Sequence, residues 1–308
     1  MRVLLALVLV AFPAVALAQD AAFPPSSGDA GERAAATTGV GAQAEASDGV
    51  GGSGKPLLPA HERPIVWVDP GHGGKMEGAV GHKGVLEKAV ALQISKRLEE
   101  ELARSLGARV LLSREGDQDV ELSERMRRAN EAGAQVFVSV HCNAMPLGPT
   151  RAHAKGVETY FLSAEATGEQ ARRVAAAENA EARKVKASKD PLANILDDLA
   201  TTEAHRDASA LAYAVHQQLI KDLGATDRGV HQAPFIVLMG AQMPAVLVEV
   251  GFLTNPAEAA LLTDKEHQGK VARSLAAGIA SWLDEVARRR MPLEQLEPPV
   301  RQAEGGAR

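Results

Sequence analysis

Along the middle of the chain, short apolar runs alternate with longer stretches whose apolar positions recur at helical spacing. Ile65–Val68, Arg109–Leu112, Val136–Val140, Val157–Phe161, Phe235–Leu238 and Ala245–Val250 have the length and branching of strands. Between the first two lies LEKAVALQISKRLEEELARSLG, where Leu86, Ile94, Leu98, Leu102 and Leu106 approximate one helical face and Gly107 supplies a stop. Between the next pair, ELSERMRRANEAGA sets Leu122, Met126 and Ala129 on one side. Strand and helix in alternation predict an α/β fold, a three-layer sandwich with a mostly parallel, about six-stranded sheet flanked by helices. Because the strands are continuously apolar rather than alternating, the sheet is expected to be covered on both faces.

The region Ala164–Leu223 departs from this alternation. AEATGEQARRVAAAENAEARKVKAS is Ala-rich, charged and helix-favouring, and a second helical pattern starts after Pro191. Composition alone reads it as a crossover with an extra helix, a helical insert at about residues 164–199. The ends are different again. In MRVLLALVLVAFPAVALAQD, Arg2 is the positive flank, Leu4–Val15 the apolar stretch and Ala16-Leu17-Ala18 a small-x-small cleavage site. Residues 1–18 therefore read as a secretory signal, with Pro13 and the cleavage site arguing against an uncleaved anchor. Residues 19–62 are rich in Ala, Gly, Ser and Pro without sustained periodicity, which is the composition of a flexible tether. Residues 288–308 look equally unstructured, leaving one domain at 63–287 in an exported protein without stable membrane insertion after signal cleavage.

Charge and composition narrow the function only by exclusion. A net charge of −5 and few aromatics (two Trp, two Tyr, six Phe) do not suit nucleic-acid recognition. Cys142 is the only cysteine, so no internal disulfide supports the fold and the core must hold it.

Ligands of open α/β sheets gather beyond the carboxyl ends of strands, and four candidate residues fall near such positions. His72 lies on a Gly-rich loop after the first strand, in IVWVDPGHGG. His141 follows VFVSV, Glu87 lies near the start of the next helix, and Glu249 sits inside the apolar PAVLVEVGF. Two imidazoles and a carboxylate with an open fourth position form a donor set that zinc uses in catalysis, and a further carboxylate suits a general base. Taken singly the residues have plainer readings. His72 reads as a turn residue, His141 as a core histidine, and Glu87 as a first-turn acid favoured by the helix dipole. Glu249 is the exception, since a buried carboxylate needs a cation, a hydrogen-bonding partner or a raised pKa.

As a set the residues carry a resemblance. VDPGHGGKMEGAVGHKGVLEKAVAL, SREGDQDVELSERMRRAN, VFVSVHCNA and PAVLVEVGFLTNP resemble, in order, the blocks of the zinc-dependent N-acetylmuramoyl-L-alanine amidases, of the periplasmic, cell-separation type. The resemblance covers nearly the whole of 63–287 and implies a single Zn2+ held by His72, Glu87 and His141, with Glu249 as the catalytic carboxylate. It further implies hydrolysis of the amide joining N-acetylmuramic acid to L-alanine in peptidoglycan, for wall remodelling and daughter-cell separation. It also implies that a helical insert can cover the cleft until a LytM-type activator displaces it. Here the candidate is about Glu165–Lys189, with Glu178 as an acid able to reach the zinc.

Other polar residues receive plainer readings. His82 is read as a loop residue near the cleft, Arg114 and Arg125 as members of structural ion pairs, and Cys142 as a bystander. A monomer is expected. A non-catalytic peptidoglycan-binding module and a zinc peptidase are the competing classes; intact ligands plus Glu249 weigh against the first, and the lack of HExxH against the second.

Overall fold

Six strands make a single sheet in the order β2-β1-β3-β6-β4-β5. They are β1 Ile65–Pro70, β2 Arg109–Leu112, β3 Val136–Asn143, β4 Val157–Leu162, β5 Asp227–Ala233 and β6 Ala245–Phe252. Among the described residues the α-helices are α1 Glu87–Leu106, α2 Leu122–Glu131, α3 Glu169–Glu178, α4 Glu203–Leu223, α5 Pro256–Thr263 and α6 Lys265–Arg290. This computed structural model describes residues 63–184 and 203–290. The expected signal at 1–18 and tether at 19–62, the insert's residues 185–199 and the tail from 291 lie outside the described residues.

Period-two alternation assigns each strand residue to a face. Val66 and Val68 of β1, Val136, Val138 and Val140 of β3, and Val246 and Val248 of β6 share one core with Ile94 and Leu98 of α1, Leu211 of α4 and Leu275 of α6. Trp67, Phe137, Tyr160 and Leu247 face the other side, with Met126 of α2, Val174 of α3 and Phe235. Helices therefore cover both faces, and the strands are apolar on both sides for that reason. The pairings β1–β2, β1–β3, β3–β6 and β4–β5 are parallel, and β4–β6 is antiparallel. The mostly parallel three-layer sandwich is thus present, with one reversal that matters below.

Two expectations about elements are corrected. Phe235–Leu238 is not a strand: Ile236–Leu238 forms a 3-10 turn, with Phe235, Val237 and Leu238 buried against the sheet. Its apolarity comes from packing beneath a turn rather than from strand pairing. The sixth strand is instead Asp227–Ala233, whose sequence DRGVHQA is polar because it is an edge strand and only partly buried. In addition, α6 runs to Arg290, into the segment read as tail.

Candidate active site

The cleft forms where β1, β3 and β6 end together. After β1 the chain turns sharply, and His72 itself takes a left-handed conformation at φ 61°, followed by Gly73 and Gly74 at positive φ. A non-glycine residue there is strained by roughly 1–3 kcal/mol and persists only where its surroundings hold it. Two buried arginines do so. Arg125 donates to Pro70 O at 2.7 Å and His72 O at 2.7 Å, while pairing with Asp69 at 2.9 Å. Arg114 donates to Pro70 O, Gly71 O, Gly116 O and Lys88 O. The structural ion pair expected for both exists for Arg125; Arg114 works instead as a clamp on backbone carbonyls. Asp69 is held below the usual carboxylate range: burial opposes its charge, but Arg125 and hydrogen bonds from Ser113 and Ser139 outweigh that.

His141 lies within β3, not after it, in register with Glu249 of β6, and alternation puts both on the face that carries Phe137 and Leu247. Glu87 is the first residue of α1. Its Oε2 accepts the Ala79 N–H at 2.8 Å and its Oε1 accepts the Cys142 N–H at 2.9 Å, which fixes the carboxylate before any ligand is considered. Close approach requires glycine at two points. A Cβ on Gly71 would lie 2.4 Å from the His141 ring, and one on Gly78, at φ 68°, would lie 2.4 Å from His72 Cδ2 and 2.6 Å from Glu87 Oε2.

The result is a convergence of donors. His72 Nε2 and His141 Nδ1 each lie 3.0 Å from Glu87 Oε1. Glu178, the last residue of α3, brings its Oε2 to 3.3 Å from His72 Nε2 and 3.0 Å from His141 Nδ1. The ligating atoms of His72, Glu87, His141 and Glu178 all lie within 4.8 Å of one another. His72 Nε2 and Glu178 Oε2 are buried yet make no proper hydrogen bond despite that proximity. Buried orphan donors of this kind, set in a cradle kept open by Gly78, fit a divalent metal such as zinc.

Electrostatics follow the same crowding. Burial opposes charge on His72, but Glu87 and Glu178 push its pKa up to about 10. Burial likewise opposes charge on His141, and Glu178 raises it well above its ordinary value. The Glu249 carboxyl is raised well above the usual range by burial, then by Glu178 and Glu87, and its Oε2 is unpartnered. Because β4 runs antiparallel to β6, Glu158 stands directly across from Glu249. Glu158 is buried and held by Asn143, Tyr160, Gln170 and Arg228.

A cavity of about 540 Å³ opens over the cluster, lined in part by Met76, Gly78, Asn143, Met145, Arg173 and Glu181. Glu181, in the 3-10 turn Asn179–Lys184 after α3, was not singled out from sequence; its Oε1 lies 2.6 Å from His72 Nδ1. The signal available was an acid three residues beyond Glu178. His82 is exposed on a 3-10 turn, bound through its backbone N–H to Leu253 O. The Cys142 thiol is buried in the core, and burial and Glu87 raise its pKa, which leaves it a poor nucleophile.

A mostly parallel α/β sheet with two imidazoles and several acids gathered at its strand ends has the donor set of a metal-dependent hydrolase. Residues 66–281 match the family model described as N-acetylmuramoyl-L-alanine amidase. The chain belongs to the N-acetylmuramoyl-L-alanine amidase family, and it is an amidase of that kind. It is 33% identical over 228 residues to N-acetylmuramoyl-L-alanine amidase AmiA of Escherichia coli (strain K12), covering 71% of this chain and 77% of that protein. It is 34% identical over 224 residues to YqiI of Bacillus subtilis (strain 168), covering 73% and 87%. Among solved structures, N-acetylmuramoyl-L-alanine amidase AmiC2 of Nostoc punctiforme superposes with a TM-score of 0.55 at 29% identity, over 72% of this chain and 97% of that one.

Proposed function

We propose that the protein is an exported, zinc-dependent enzyme that hydrolyses the amide between N-acetylmuramic acid and L-alanine in peptidoglycan, serving wall remodelling and daughter-cell separation. The observation that carries the chemistry is the convergence of His72, Glu87 and His141, with Glu249 one strand away from His141 in register. These three side chains would hold the ion. A bound zinc ion supplies Lewis acidity for the scissile carbonyl and lowers the pKa of water. Glu249 Oε2, buried and without a partner, takes the proton of the attacking water and returns it to the departing amine. Glu87, oriented by two backbone N–H groups, stays in place while the substrate changes shape.

The insert is the regulatory part of the reading. Glu178 Oε2 lies 3.3 Å from His72 Nε2 and 3.0 Å from His141 Nδ1, which supports a reading in which α3 covers the ligands and competes with water and substrate for them. A protein activator of the LytM type would displace it. No helix among the described residues is long and apolar enough to cross a membrane, and export rests on the N-terminal sequence read above.

The test pairs zinc content with product mass spectrometry on purified peptidoglycan, for wild type, Glu249→Gln and Glu178→Ala. Glu249→Gln should retain zinc and lose turnover by about 10²–10⁴-fold. Glu178→Ala should release stem peptides beginning with free L-alanine faster than wild type. Near-wild-type turnover in Glu249→Gln would sink the catalytic assignment, and no gain in Glu178→Ala would sink the gate.

A further inference from the structure

The His72 ring is held from both sides by different parts of the chain. Its Nε2 faces the donor cluster, 3.0 Å from Glu87 Oε1 and 3.3 Å from Glu178 Oε2. Its Nδ1 points away from the cluster, 2.6 Å from Glu181 Oε1. A metal-binding imidazole needs one nitrogen with a free lone pair and the other carrying a proton for an outer acceptor, and a carboxylate in that outer place fixes the tautomer and makes the ligand more basic. Glu87 obtains its orientation from Ala79 and Cys142 on the catalytic framework. The acceptor on His72 comes instead from the turn that follows the covering helix.

We infer that Glu181 positions His72 for the metal, so that the segment closing the cleft also tightens the metal it covers. This rests on the proposed reading of His72 as a metal ligand. Glu178 and Glu181 are three residues apart on one continuous α3–turn segment. A displacement that lifts Glu178 out of the cluster lifts Glu181 off Nδ1 as well. Opening therefore costs the site one orienting hydrogen bond at the moment it gains access to substrate. The closed enzyme holds its metal most firmly, and the open one holds it more weakly.

Zinc affinity of the full chain, measured by competition with a chromophoric chelator, tests this without reference to turnover. Glu181→Ala should bind zinc about 10–100-fold more weakly than wild type, with Glu181→Gln, which keeps an oxygen acceptor, in between. In the zinc-loaded wild type, nitrogen-15 NMR should place the His72 ring proton on Nδ1, with that resonance shifted in Glu181→Ala. Unchanged affinity in Glu181→Ala overturns the inference. If His72→Ala binds zinc as wild type does, the ligand assignment itself fails and takes this inference with it.

Discussion

The His72 loop and the α3 insert meet at the same donor cluster but away from it are held by different means. The loop is locked by Arg125 and Asp69, both 1% exposed, and by the carbonyl contacts of Arg114, each charge matched to a fixed acceptor. Outside the donor cluster, where Glu178 and Glu181 face His72 and His141, the described part of the insert rests on small side chains, with Ala171, Val174 and Ala175 buried, and on a few neutral or singly charged hydrogen bonds. Asn179 accepts from Ile236 N and donates to Pro234 O, Thr167 pairs with Gln232, and Gln170 reaches Glu158. A part that must stay fixed during chemistry is bolted with buried charge, where breaking one partner is expensive. In the proposed gate, the insert is attached outside the donor cluster by contacts that each contribute little, so closed and open arrangements can lie within reach of a binding partner.

The largest effect should come from unbolting the loop. Arg125→Met leaves Asp69 buried without its cation and His72 O without its donor, and should cost about 3–5 kcal/mol in denaturant unfolding together with zinc binding. A cost below about 1 kcal/mol would mean that the loop is held no more firmly than the insert. Next is Gly78→Ala, whose methyl would press on His72 and Glu87 at a positive φ. It should lower stability by about 1–3 kcal/mol, with a loss of zinc affinity that isothermal titration would register. Smaller still is Asn179→Ala. Losing two hydrogen bonds at the end of α3, about 1 kcal/mol each, should speed protease cleavage of the insert while leaving the global unfolding midpoint nearly in place. A large shift in that midpoint would show that the insert is part of the cooperative core.

The mildest test uses pH. Asp69 has a folded pKa below its ordinary value of 3.8, so its contribution is present above that pH and fades as pH falls through the folded value. Unfolding free energy measured from pH 5 downwards should therefore fall more steeply in wild type than in Asp69→Asn. Equal slopes would remove the Asp69–Arg125 pair from the account of the loop.

Much of this was legible in the sequence because the signals are local. Ile65–Val68, Val136–Val140 and Ala245–Val250 are apolar because each is covered on both faces, and His72, Glu87, His141 and Glu249 stand on or beside the ends of such elements. The misplaced strand shows the limit of that signal. Phe235–Leu238 is as apolar as a strand because it is buried, and Asp227–Ala233 is polar because an edge strand has solvent at its side. A run of apolar residues reports burial, and pairing has to be found in three dimensions.

By itself, then, the sequence determined the alternation of strands and helices, the family, and the four residues around which the chemistry is proposed. Only the tertiary structure decided that β4 runs against β6 and so sets Glu158 opposite Glu249, and that α3 ends with Glu178 among the histidines and Glu181 behind one of them. The physical reason is separation along the chain. His72 and Glu181 are 109 residues apart, and no periodicity or spacing within either segment encodes where the other will lie. Their meeting is set by how Val174 and Ala175 pack on the sheet and by where Asn179 is tied, which are properties of the folded whole.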